Sequence, residues 1–132
     1  MSIRMMAAVA GLGCILSLGA SEFAFGEPAS LDGSWSGGGT VTFPSGAVEK
    51  ASCRATYRRS GNGYSMNGVC ATPSGRAAQT ASLRRVSANK FAGSFHNAEY
   101  DISGSISVTV NGNTQSVYLN GNGASASIHL RR

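Results

Sequence analysis

From Trp35 to Phe43 the odd-numbered positions read Trp, Gly, Gly, Val, Phe, while most even ones are Ser or Thr. That period of two predicts a β-strand with one dry face. The stretch Leu31 to Phe43 holds the chain's one Trp, and later segments can be laid beside it in turn. Pro44-Ser45-Gly46 predicts a three-residue hairpin loop, with Pro presetting the turn and Gly in the left-handed position. Pairing Phe43 with Ala47 sets Gly39 opposite Ala51, Gly37 opposite Cys53 and Trp35 opposite Ala55. The second strand then keeps Ala51, Cys53, Ala55 and Tyr57 inside and turns Lys50, Ser52, Arg54, Thr56 and Arg58 outward.

A turn centred between Gly61 and Asn62 sets Cys53 opposite Cys70 and Tyr57 opposite Met66. Centring it on Asn62-Gly63 would leave the cysteines on a diagonal roughly 7 Å apart at Cβ, too far for a bridge. A bridge therefore selects the first register, and closing its loop adds about 3 kcal/mol to a small core. Pro73-Ser74-Gly75 ends the third strand. The fourth, Ala77 to Val86, has a weak pattern that buries either Ala81 and Leu83 or Arg84 and Val86; Leu83 is preferred. After Ser87-Ala88-Asn89, Phe91, Gly93 and Phe95 share a face.

The clearest alternation follows, with Tyr100, Ile102, Gly104, Ile106, Val108 and Val110 on one face and Ser, Thr or Asp between them. Gly104 reads as a corner where a closing sheet bends. Asn111-Gly112, as a type I′ turn, sets Ile106 opposite Val117 and Gly104 opposite Leu119; Asn122-Gly123 sets Leu119 opposite Ala126 and Val117 opposite Ile128. Successive hairpins agree on the buried face, and a one-residue slip would invert it. The expectation is an all-β, antiparallel up-and-down meander of about eight strands that closes into a small barrel and so removes its exposed edges.

Ahead of this domain, Arg4 precedes an apolar run from Met5 to Ala20, and Ala24-Phe25-Gly26 offers small residues for cleavage. The expected division is a signal peptide at 1–26 and a secreted barrel at 27–132; lipidation at Cys14 is the alternative. No second apolar run approaches the ~20 residues of a membrane helix. Cleavage removes Cys14 and leaves Cys53 and Cys70 to pair in an oxidising compartment, periplasmic or extracellular. It also removes one cation, Arg4, and one acid, Glu22, so the net charge stays at +5.

Leu31-x-Gly33-x-Trp35 at the start of such a meander resembles the first-strand motif of the calycin-like barrels: lipocalins, avidins and small bacterial inhibitors of secreted metalloproteases. The match covers five residues. The resemblance implies that Trp35 plugs one barrel end under a basic residue of the last strand, Arg131 or Arg132, with Arg131 taken first. It also implies, from the inhibitors, an N-terminal arm, here Glu27, Pro28, Ala29 and Ser30. Avidin-type biotin sites use several Trp residues where this chain has one, and the later lipocalin motifs are absent.

Chemistry is sparse. His129 alternates with Ile128 and Leu130 and so points outward, and His96 sits beside a turn; neither joins a triad. With the two cysteines bridged, no thiolate remains for zinc and no spacing suits another metal. Gly37-Gly38-Gly39 lacks the Lys-Ser/Thr and helix of a phosphate loop. Glu49 faces inward opposite Val41, where rim exposure is expected because a lone buried acid is costly.

These residues point away from an enzyme and from a cofactor. The first expectation is a secreted or periplasmic binding module that engages a protein or an anionic envelope glycolipid through the arm, the loops or the row Lys50, Arg54, Arg58, which Arg84 extends if it faces outward. An exported chain without interleaved surface aromatics does not suit nucleic acid. The alternative is a carrier of a small apolar ligand, suggested by the small inner residues Gly37, Gly39, Ala51, Ala55, Gly93, Gly104 and Ala126. Those glycines serve equally to close a narrow barrel. A cavity below roughly 300 Å³, where ligand pockets generally begin, argues against a carrier that encloses its ligand.

Overall fold

The structure, a computed structural model, describes residues 28–132. The expected signal peptide, the alternative at Cys14 and Glu27 of the expected arm lie outside the described residues. Eight strands follow in order: β1 (Gly33–Thr42), β2 (Val48–Ser60), β3 (Gly63–Thr72), β4 (Gly75–Ser87), β5 (Lys90–Asn97), β6 (Ile102–Asn111), β7 (Thr114–Gly121) and β8 (Ala124–Arg131). Each pairs antiparallel with the next, and β8 returns to β1 to close the barrel.

Turn chemistry sets the registers. In the first loop the Phe43 amide donates to the Ala47 carbonyl (2.8 Å) and the Gly46 amide donates to the Phe43 carbonyl (2.8 Å). Trp35 consequently faces Ala55 and Gly37 faces Cys53. Gly61 takes φ +58°, Ser60 pairs with Gly63, and Cys53 lies opposite Cys70. The two cysteines are bridged. Leu83 is buried, and Val86 is 53% exposed.

One register differs from expectation. Asn111 pairs with Thr114, so the turn residues are Gly112 and Asn113, and Ile106 faces Leu119 while Val108 faces Val117. Gly112 has φ +60° and occupies the first central position, where a type II′ turn places glycine. Moving a turn centre by one residue moves partners by two, so the buried face is kept although every partner changes. In the next hairpin Asn122 (φ +53°) and Gly123 (φ +81°) form the central pair, and Leu119 faces Ala126 as expected.

The core is uneven along the barrel axis. Leu31, Trp35, Tyr57, Phe91, Val108 and Val110 are nearly inaccessible, and all lie toward the end where β1 starts and β8 finishes. Large side chains plug that end. Toward the other end the inner positions shrink to Gly39, Ala51, Ala77 and Ala126, so the barrel stays open there. The outer wall carries rows such as Ser103, Ser105, Ser107 and Thr109 on β6, and so lacks the apolar band of a lipid-embedded barrel.

The inner glycines close the sheet and do not hollow it. A methyl on Gly39 would overlap the Ser127 carbonyl, on Gly93 the Ser82 carbonyl, and on Gly104 the Asn120 carbonyl. At these points neighbouring strands approach too closely for any side chain.

Candidate functional site

Small inner side chains at the open end leave a cup of about 80 Å³. Its wall is apolar, with Val41 from β1, Cys70 from β3, Ala77 from β4, Phe95 from β5 and Leu119 from β7. A second void of about 30 Å³ lies deeper and shares Cys70, Gln79 and Leu119 with the cup. Over the mouth, Phe43 and Tyr100 meet edge to face with centroids 5.9 Å apart. Tyr100 belongs to the β5–β6 loop, outside β6, and is 44% exposed.

Gln79, Asn97, Thr72 and Ser125 are the polar residues of this wall besides Tyr100, and the first two bring amides. Gln79 is the one inward amide of β4 and Asn97 ends the inward row of β5. Asn97 Nδ2 donates to Gln79 Oε1 (3.0 Å), and Asn97 Oδ1 accepts from the Tyr100 amide (3.1 Å). Gln79 Nε2 has only the Cys70 sulfur within reach, at 3.8 Å. A strong acceptor brought into the cup would improve on that weak partner.

Glu49 stands at the rim. Its carboxylate accepts from both the hydroxyl and the amide of Ser74, the latter at 3.2 Å. The hydrogen bonds of the Ser74 and Thr72 hydroxyls hold its pKa below the usual carboxylate range. It is therefore ionised at neutral pH and tied to the β3–β4 loop.

The opposite end is sealed. The Arg132 guanidinium lies 4.3 Å from the centre of the Trp35 ring, and Trp35 Nε1 donates to the Leu31 carbonyl (3.0 Å). Arg131, taken first as the plugging cation, instead pairs with Ser36 and Thr114 and points outward. Strand alternation requires this: Leu130 is inside, so Arg131 is outside and Arg132 returns over the end. The expected arm does not project in its described part. The Ala29 amide donates to the Ala88 carbonyl (3.2 Å), and the Arg85 guanidinium donates to the Ala29 carbonyl (2.6 Å). Pro28, Ala29 and Ser30 lie along the sealed end because Leu31, fully buried, anchors them.

Beneath the plug, the Tyr57 hydroxyl donates to Gln115 Oε1 (2.7 Å), and Gln115 Nε2 has no partner although it is buried. Burial pushes the Tyr57 phenol well above its ordinary pKa.

Lys50, Arg54 and Arg58 do share the outer face of β2, and Arg84 is exposed on β4. Four residues of strand separate successive members, so the charges stand ~13 Å apart. That exceeds the Debye length of ~8 Å at physiological ionic strength, so they act separately more than as one stripe. His96 Nδ1 bonds to Ser103 Oγ (2.7 Å) and His129 Nδ1 to Ser116 Oγ (3.2 Å), both on the exposed wall.

No known protein family and no curated protein matches the chain. Among solved structures it is similar to a redesigned β-barrel, mFAP1, bound to DFHBI. The TM-score is 0.64 at 13% identity, over 77% of this chain and 94% of that one. It is also similar to EF1p2_mFAP2b bound to DFHBI (TM-score 0.60, 12% identity, 77% and 93% covered). A third is a fluorescence-activating β-barrel made by de novo design (TM-score 0.58, 12% identity, 76% and 92% covered). At such identities the likeness is one of fold: a small eight-stranded barrel.

Gln79 and Asn97 were not singled out from the sequence, although parity marks both. Gln79 interrupts the inward row Ala77, Ala81, Leu83, and Asn97 extends Phe91, Gly93, Phe95.

Proposed function

We propose that this protein is an exported, non-enzymatic binding barrel that receives the apolar end of a small molecule in the cup at its open mouth. The observation that carries this reading is the convergence of the Gln79 and Asn97 amides on a mostly apolar cup beneath Phe43 and Tyr100. Similar barrels solved with DFHBI bound support it. At about 80 Å³ the cup is well below the ~300 Å³ at which ligand pockets generally begin. A ligand fully enclosed does not fit, so the carrier reading narrows to one that inserts a single ring or short chain and displaces Tyr100, keeping its remainder at the rim. Its inserted end carries an acceptor for Gln79 Nε2.

The outward histidines and the rim position of Glu49 support a binding role over catalysis, since none of them faces the cup floor. Export is supported by the Met5–Ala20 run and by the bridge between Cys53 and Cys70. The Trp35–Arg132 stack fits a calycin-like ancestry.

Titration with small aryl amides and phenols, followed by amide chemical shifts, tests the reading. The side-chain amides of Gln79 and Asn97 are expected to move at millimolar fragment, and Ala126→Phe, which fills the cup, is expected to abolish the shifts. Shifts confined to the outer wall, or unchanged in Ala126→Phe, would remove the cup from consideration. Sequencing the N-terminus of the secreted protein tests export, with Glu27 expected first.

A further inference from the structure

Charge on this barrel is sorted along its axis. At the sealed end Arg58, Arg84, Lys90 and Arg131 project outward from β2, β4, β5 and β8. Three more arginines lie over the plug aromatics: Arg59 at 5.2 Å from the Tyr64 ring, Arg85 at 4.6 Å from Phe91 and Arg132 at 4.3 Å from Trp35. Among the described residues Asp32 is the one acid at this end, and it stands 3.7 Å from Arg59. The mouth half holds the other three described acids, Glu49, Glu99 and Asp101, against two cations, Lys50 and Arg76, and Arg54 stands midway along β2.

We propose that the sealed end docks on an anionic lipid surface, with the mouth turned away from it. Two observations favour a surface over a linear polyanion. The outward cations come from four strands spread over more than half the circumference, so a plane meets them together where a single polymer strand meets one or two. Val86, 53% exposed, lies among them: with Leu83 inside, alternation along β4 turns this apolar side chain outward beside Arg84, where β4 and β5 slip register next to Lys90. Cations flanking an exposed apolar residue suit a headgroup boundary, where phosphate attracts the charge and the acyl edge accepts the side chain. The acids at the mouth repel the same surface and fix the orientation.

Arg58, Arg84, Lys90 and Arg131 make no side-chain hydrogen bond or ion pair among the described residues, so replacing them leaves the plug intact. The test compares partitioning of the secreted, disulfide-bonded protein between vesicles of phosphatidylcholine alone and vesicles containing phosphatidylglycerol. Both vesicles present the same acyl chains, so the difference isolates charge. Each surface cation should be worth about fivefold. The quadruple variant R58S/R84S/K90S/R131S is expected to lose about a hundredfold or more of the preference for anionic vesicles, an order-of-magnitude expectation on the same basis. K50S/R54S/R76S is expected to keep most of it. Equal losses in the two variants, no preference in the parent, or tighter binding to soluble heparin than to anionic vesicles would each overturn the proposal. An independent readout is Val86→Trp, whose emission should shift to the blue on anionic vesicles only; an unshifted spectrum overturns it as well.

Discussion

The Arg132 guanidinium lies over the Trp35 indole at 4.3 Å while its Nη1 donates to the Asp32 carbonyl at 2.9 Å, so the last residue of the chain locks the first strand. One contact joins the two strands whose pairing closes the barrel. A partly exposed cation–π pair with a charge-assisted hydrogen bond contributes about 1–2 kcal/mol. Arg132→Ala is therefore expected to lower unfolding free energy by that amount in urea titration. Arg131→Ala, one residue away and outward, should change it by less than about 0.5 kcal/mol. Equal effects would show that charge near the end matters and the stack does not.

Tyr57 and Gln115 form the one hydrogen-bonded side-chain pair under the plug among the described residues, and the pair is incomplete because Gln115 Nε2 is unpartnered. Removing either partner alone strands the other in an apolar site. Tyr57→Phe and Gln115→Leu are each expected to cost about 1–3 kcal/mol. The double variant should cost less than their sum, because no polar group is then left buried. Additive losses would mean that each group has another partner, such as an enclosed water.

The same phenol makes stability depend on alkaline pH. Burial raises the folded pKa of Tyr57 above the ordinary value of 10.0. Its contribution is fully present below that value, and it is lost as pH rises, because the unfolded chain releases a proton that the folded chain retains. Melting temperature should fall steadily once the pH passes that ordinary value, and Tyr57→Phe should flatten part of that slope. The other tyrosines supply the remainder, so the difference between the two profiles is the quantity to measure.

Faces and early registers were legible because each hairpin carried its own turn chemistry and the cysteines admitted one alignment. Asn111-Gly112-Asn113 offers two adjacent turn centres, and nothing in its alternation chooses between them, since both bury the same face. Packing chose: the observed register sets Val108 against Val117 and Ile106 against Leu119. The cup was less legible, because a lone Gln in a weak strand reads as a pattern defect until β5 brings Asn97 beside it. The axial sorting of charge was not legible at all. An up-and-down chain returns to the same end every second turn, so Arg58, Arg84 and Arg131, far apart in sequence, meet only once direction and closure are known.

Glycine placement offers a sharp contrast within one barrel. A Cβ on Gly93 would overlap the Ser82 carbonyl, backbone that cannot move without opening β4 from β5. On Gly68 it would meet first the terminal methyl of Met66 at 3.3 Å, the free end of a flexible side chain beside the void of about 30 Å³. Gly93→Ala is expected to cost on the order of 3 kcal/mol, the upper range for forced overpacking. Gly68→Ala should instead be neutral or stabilise by up to about 1 kcal/mol, since it restricts the unfolded chain and fills space. Thermal melts of the two single variants decide the matter. If Gly93→Ala melts with the parent, the strands have room to part and the inner glycines do not hold the barrel closed.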